Sequence, residues 1–404
     1  VCREEQAPYC APSFYAYQAT TKFADNPAYA LSGPATNSPY ALAAAYLFAF
    51  AMADILRRIL KPSHAHLSSA STLLTWIIRP ALLGSSGFWL ADWVHGLEQL
   101  DEATRSTFLV IKIWTARAVL FLLVAGAWYW YLSPLSLSVL REPTQKRDAP
   151  PKVALLGFGN TFGAAFLLFT SLAFSLLFLL SQPMGQLALS ACFVAMVLIA
   201  ELGDSERDAR LLAASKMPNA KDLSASPSHA PSLLEIVCIG LLGFVAFFST
   251  GHQATFTAIQ WRVAFVGFPV VTYPWSPLFV VLNAFGPLSI LPAFGVVLLT
   301  LWNVAPTRAK VQQEETGHVR PMRLPGDILR SALGLLLYVG VLTWSAALWA
   351  WFFRRHLMLF KIWVPRYMMA GLGLLITDVA LLGAVAVAWW IAARTAKAFG
   401  TLYT

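Results

Sequence analysis

The sequence has 404 residues, of which 58% are apolar and only 12% charged, with a formal net charge of +9. A soluble domain carries about 25% charged residues, so this composition excludes an ordinary soluble enzyme and points to a chain immersed in lipid. The excess Lys and Arg is scattered among short loops without a continuous patch, which argues against nucleic acid as a partner and for the loop charges that orient membrane proteins.

Residues 1–38 form a polar leader with Pro8, Pro12, Pro27 and Pro34 and no sustained periodicity, as expected of an extra-membrane connector. Nothing before Pro39 has the basic start and apolar middle of a signal peptide, and the first residue is Val1, so a piece of a longer chain is expected. Cys2 and Cys10 lie close together in CREEQAPYC. They are a candidate disulfide if the leader faces an oxidising lumen, and two free thiols otherwise. Cys192 and Cys238 fall inside apolar runs and read as buried thiols.

Apolar runs then follow at 39–59, 72–93, 108–132, 153–180, 185–202, 233–250, 277–302, 328–353 and 367–393. Each approaches the ~20 residues needed to cross a ~30 Å hydrocarbon core, so the predicted fold class is an all-α polytopic membrane bundle of roughly nine helices. The second run is interrupted by Arg79–Pro80 and by Gly84 and Gly87, which predicts a kink. The third ends in the aromatic cluster WYWY, suited to the headgroup level. Pro287 and Pro292 sit inside the seventh, where neighbouring helices can satisfy the freed backbone groups.

Polar loops near 141–152, 203–232 and 303–327 carry Arg141, Lys146, Arg147, Lys152, Arg207, Arg210, Lys216, Lys221, Arg308, Lys310, Arg320 and Arg323. With Arg57, Arg58, Lys61, Arg394 and Lys397 they fall on alternate connections, which predicts a cytoplasmic C-terminus and a leader on the luminal side. RRHLMLFKIWVPR, residues 354–366, is basic yet falls on the luminal side. It either lies in the interface with its cations on lipid phosphates, or the span count is off by one.

The motifs of soluble chemistry are missing: there is no GxxxxGK[ST], HExxH, paired CxxC or GxSxG. His64 and His66 in KPSHAH are the only neighbouring histidines and lack a nearby carboxylate or Cys, so no metal site is predicted. Charge inside a span is costly and draws attention to Lys112, Arg117 and Asp378. Lys112 can snorkel to an interface. Arg117 and Asp378 lie deeper, either lining a polar cavity or proton path or forming a structural interhelical pair. The most unusual stretch is FFSTGHQATFTAIQWRVAFVGFP, residues 247–269. It is too polar at its start for a plain span and too apolar for a solvated loop, which predicts a re-entrant or interfacial segment on the luminal side. Within it Arg262 could hold a phosphate through paired N–H bonds. His252, Gln253 and Gln260 could bond headgroup or sugar oxygens, and Trp261 sits among them. The alternative is an interfacial anchor with no ligand.

At TGHQATFTAIQWRVAFVGF the chain resembles the GPI-anchor ethanolamine phosphate transferases of the PIG-O type. RRHLMLFKIWVPRYM resembles a segment near the C-terminus of those proteins, and CREEQAPYC is similar to the fungal connector before their membrane bundle. The resemblance implies an endoplasmic-reticulum enzyme moving phosphoethanolamine from phosphatidylethanolamine to the third mannose of a GPI precursor. It implies an alkaline-phosphatase-like luminal domain with zinc-type metal ions and a Thr nucleophile, which this chain does not contain. No catalytic residue is therefore assigned here, and the chain alone is expected to be inactive. A small membrane partner of the PIG-F type is also implied. The competing expectations are an independent multi-span lipid transporter or scramblase-like protein, and a truncated, inactive product.

Overall fold

The computed structural model describes residues 39–60, 68–97, 100–135, 138–142, 152–156, 158–215, 230–253, 259–304, 324–355 and 363–402. Each apolar run becomes a helix. In chain order these are α1 (Pro39–Ile59), α2 (Ser68–Thr72) passing through a π turn (Leu73–Ile78) into α3 (Arg79–His95), and α4 (Glu102–Leu132). Then come α5 (Thr161–Leu180), α6 (Pro183–Ser215) and α7 (Leu233–Ser249). A second broken rod joins α8 (Trp275–Phe285) through a π turn (Gly286–Ile290) to α9 (Leu291–Leu301), followed by α10 (Leu324–Phe352) and α11 (Val364–Leu402). Seven of these rods, each broken pair counted once, are long and apolar enough to cross a membrane by length and composition. The other two are α1, with 21 residues, and α7, with 17.

The helix ends follow local chemistry. α4 starts before its apolar run because the Asp101 carboxylate accepts the Thr104 amide at 3.2 Å, an N-cap that adds a polar turn. α7 starts with a capping box in which the Ser232 backbone N–H donates to Glu235 and the Glu235 amide donates to the Ser232 hydroxyl. The expected helical entry at residue 153 is corrected. Lys152–Leu156 is a strand (β2), paired antiparallel with Ser138–Glu142 (β1) in register Leu140↔Ala154. Its backbone groups are satisfied across this ribbon rather than along a helix, and α5 begins only at Thr161. The two-strand ribbon is an addition to a fold that is otherwise helical.

α5 and the α8–α9 rod are buried along nearly their whole length and form the centre. Around them α3 packs on α4, α1 on α3 and α6, α6 on α7, and α10 on α11. Small residues let the backbones approach, as in many membrane bundles. A carbon added at Gly163 would stand 2.9 Å from the Leu301 carbonyl, and one at Gly243 would collide with Pro292. Indole N–H groups tie helices through backbone carbonyls: Trp89 to Leu179 O at 3.0 Å and Trp130 to Ala165 O at 2.9 Å. Trp114, Phe121 and Val124 on α4, and Leu375, Val379 and Leu382 on α11, stay exposed as apolar stripes suited to lipid.

The rods alternate in direction, so the bundle has two ends. Trp302 bonds Glu201 and Asn303 bonds Asp204 at the end that carries the ribbon. The opposite end carries the 249–275 connection. Met369, near the start of α11, joins Phe247, Ala284 and Phe285 in a small apolar cluster at this second end. The basic segment between α10 and α11 therefore emerges beside the 249–275 connection, where Trp349 and Trp363 stack at 6.0 Å. Residues 356–362 lie outside the described residues.

Candidate functional site

α7 stops where its polar residues begin. The last turn closes with the Thr250 backbone N–H donating to the Ala246 carbonyl at 3.0 Å, and Gly251 takes φ +84°, which a glycine adopts without a Cβ clash. The reversal drives His252 into the bundle, where it is buried and its ring stacks on Phe247 with centroids 5.3 Å apart. Asn283 of α8 donates through Nδ2 to the Leu180 carbonyl at 2.7 Å, which leaves its Oδ1 as the acceptor facing His252 Nε2 at 2.8 Å. Nε2 therefore carries the proton, and Nδ1 meets the Thr250 hydroxyl at 2.9 Å as the acceptor of a neutral ring. His252 is thus a strut between α7, α8 and the end of α5, with both nitrogens engaged inside the protein. It does not present them to a ligand.

Burial holds this imidazole below its ordinary value near about 6.5, while the bonds to Asn283 and to the Phe247 backbone act in the opposite direction. With the folded value depressed, the unfolded chain takes up the proton first. The His252 contribution is complete above pH about 6.5 and is lost as pH falls, at no more than about 1.4 kcal/mol per pH unit. Thermal midpoints are expected to fall between pH 7 and 5 in the wild-type chain and to fall less in His252→Asn. Equal slopes in both would assign the acid sensitivity elsewhere.

The rest of the segment sits on this strut. Gln260 donates to the Thr250 carbonyl at 3.0 Å, and its buried Oε1 has no bonding partner. A 3₁₀ turn, Trp261–Phe265, then carries Trp261 and Arg262 outward, where both are exposed, as is Gln253. The strand of chain between them, 254–258, lies outside the described residues. Arg262 reaches the Asp92 carboxylate of α3 at 3.6 Å; the same carboxylate accepts Lys112 of α4 at 2.8 Å in a mostly buried pair. Lys112 is therefore held by an acid rather than snorkelling free. Arg117 donates to the Gly267 carbonyl at 2.9 Å and lies over Trp114, pinning the far end of the segment to α4.

Two expectations part company here. The candidate pairing of Arg117 with Asp378 is corrected: Arg117 donates through Nε to the Gly267 carbonyl, no ion pair joins it to Asp378 among the described residues, and Asp378 of α11 has a buried Oδ1 with no bonding partner. His252, Gln253, Gln260, Trp261 and Arg262 do gather at one end of the bundle, but only Gln253, Trp261 and Arg262 face outward. Sequence reasoning missed Asn283, Thr250 and Asp92. The only signal for Asn283 was a lone amide in an otherwise apolar run. Among the described residues no group of three or more His, Cys, Asp or Glu side chains converges as a metal site. Cys192 and Cys238 are free thiols, buried and exposed respectively; Cys2, Cys10, His64 and His66 lie outside the described residues.

No family model matches the chain, and no solved structure matches it. Curated proteins do. GPI ethanolamine phosphate transferase 3 of Eremothecium gossypii is 28% identical over 383 residues, covering 94% of this chain and 32% of that protein. The protein of the same name from Saccharomyces cerevisiae is 27% identical with the same coverage. The human GPI ethanolamine phosphate transferase 3, catalytic subunit, is 28% identical over 285 residues, 64% of this chain and 25% of its own length. The chain spans about a third of the length of the fungal relatives it matches.

Proposed function

We propose that the chain, similar to GPI ethanolamine phosphate transferase 3 of two fungi over 94% of its length, is the membrane part of such an enzyme and holds lipid substrates for a catalytic domain outside this chain. The whole protein would move phosphoethanolamine from phosphatidylethanolamine to the third mannose of a GPI precursor, in the endoplasmic-reticulum membrane. On this reading the leader and the Trp261–Arg262 end face the lumen, the ribbon end and the C-terminus face the cytoplasm, and the metal ions belong to the separate domain. A small membrane partner of the PIG-F type completes the assembly. The chain by itself would be inactive.

One observation supports this reading above the others: the end that carries Trp261 and Arg262 is rigidly built, with those two side chains left outside the packing. The His252–Asn283–Leu180 and Gln260–Thr250 bonds brace the segment from below, and Arg117 braces it from the side. An exposed guanidinium and indole on a fixed base suit a phosphate and the apolar edge beside it. In the intact transferase, Arg262→Ala is expected to reduce phosphoethanolamine transfer about tenfold, the scale of one charge-assisted bond, at unchanged expression. Transfer equal to the wild type would defeat this role. The transporter reading draws on the unpartnered Asp378, and lipid flux in vesicles abolished by Asp378→Asn would favour it.

A further inference from the structure

The braced end adjoins a second feature. α7, α10, α11 and the π turn Gly286–Ile290 line a narrow cleft of about 100 Å³, bounded by Phe244, Phe247, Leu288, Tyr338, Met369 and Gly373 among others. That is less room than the ~300–1,000 Å³ of drug-sized ligand sites and suits a slim chain rather than a bulky ligand. Three of its four hydroxyls are engaged, the Tyr338 phenol being the exception. Ser289 and Thr377 both donate to the Gly373 carbonyl, at 3.2 and 2.7 Å, and Thr343 turns onto the Val339 carbonyl at 3.0 Å. With those donors consumed, the walls suit hydrocarbon rather than a sugar or a headgroup. Phe248, also on the lining, is 55% exposed on the outer face of the bundle, so the cleft opens sideways toward lipid. Phe247 closes its inner end and carries the ring stacked on His252.

Charge stands at one end only. Met369, Ala370, Gly373 and Thr377 line the cleft from α11, and Arg366 falls three and four residues before the first two, on the same stripe of the helix. It is exposed, with its guanidinium over Trp363 at 5.7 Å; Arg354 lies likewise over Trp351 at 5.2 Å. Among the described residues neither has an acidic partner. Trp349, Phe353 and Trp363 stack around them at 4.8 to 6.0 Å, an aromatic belt at headgroup depth. An apolar slot capped by unpaired guanidiniums is complementary to one class of molecule.

We propose that this cleft holds one acyl chain of a phosphate-headed diacyl lipid, entering from the bilayer, with the phosphate on Arg366. The proposal deepens the reading of the chain as a lipid-holding bundle and rests on it, but its test needs no transfer activity. The full chain is placed in phosphatidylcholine nanodiscs carrying either a phosphatidylcholine or a diacylglycerol with a photoreactive diazirine on the acyl chain, and labelled peptides are mapped. The phosphatidylcholine probe should label α7, α10 and α11 at the cleft about tenfold more than the diacylglycerol probe, as one charge-assisted bond provides. On the Phe121–Val124 stripe of α4 the two should label alike. Arg366→Gln should erase that preference, and Ala370→Phe should remove cleft labelling by both probes while the α4 stripe still labels. Equal labelling of the wild-type cleft by the two probes, or cleft labelling no greater than on α4, would overturn the proposal without needing any variant to fold. Because transfer is not the readout, its loss or survival in Arg262→Ala leaves this result independent.

Discussion

Replacing Asn283 with leucine should be among the most destabilising single changes in the chain. The side chain is buried, and its amide joins two groups that have no other obvious use. The Leu180 carbonyl belongs to the last turn of α5, where no intrahelical donor remains, and His252 Nε2–H faces only the Asn283 oxygen. Leucine leaves both unpaired at nearly the same volume. Each buried orphan costs about 1–3 kcal/mol, so roughly 2–6 kcal/mol is expected. Thermal unfolding in a fixed detergent would show it, and a midpoint indistinguishable from the wild type would mean that water or rearrangement supplies the missing partners. Adding His252→Phe to Asn283→Leu should cost little more, because the two changes break one shared interaction.

The second large effect is expected at Asp92, and its sign pattern is asymmetric. Asp92→Ala strands the Lys112 ammonium, whose side chain is only 13% exposed, and should cost about 3–5 kcal/mol. Lys112→Met should be milder, since Asp92 keeps the Arg262 guanidinium. The double variant Asp92→Leu with Lys112→Met should return most of the lost stability, because two well-packed apolar residues avoid desolvating either charge. Unfolding midpoints of the three variants decide the matter, and a double variant worse than Asp92→Ala would contradict it. Arg262→Ala should barely move the midpoint, its side chain being 61% exposed. That separates a stability role at Asp92 from a binding role at Arg262.

How much of this was legible in the sequence depends on the range of the interaction. The rods were legible because a run of apolar residues is a one-dimensional signal, and their alternation followed from where Lys and Arg fell. Helix starts were less so. The Ser232–Glu235 capping box was not read in advance, and the strand at Lys152–Leu156 could not be told from a helical entry, because an apolar run has no period and its partner lies across a loop. The site was legible as a place but not as a mechanism. His252 and Arg262 share one unusual stretch, yet one is a buried strut and the other an exposed guanidinium. What separates them is Asn283, 31 residues away, and Asp92 on a different helix. Arg117 and Asp378 look like partners on a list of buried charges. Only the backbone turn at Gly267, with φ +79°, shows where Arg117 donates instead.

The π turn inside the α8–α9 rod has a consequence for how the two ends of the bundle are tied together. Asn283 on one side of it serves the His252 strut, and Thr300 on the other bonds Ser331 of α10 at 2.8 Å. One extra residue in a helix rotates everything beyond it by about 100°. The turn therefore acts as a phase setter on a single rod, letting each half aim its polar side chain at its own partner. Residues within Gly286–Ile290 can change in kind as long as they fit, but their number is fixed. Losing one would leave the rod unbroken and apolar while turning Asn283 or Thr300 away from the group it serves. Along this stretch the inherited quantity is a count of residues, an angular dimension of the molecule that composition does not express.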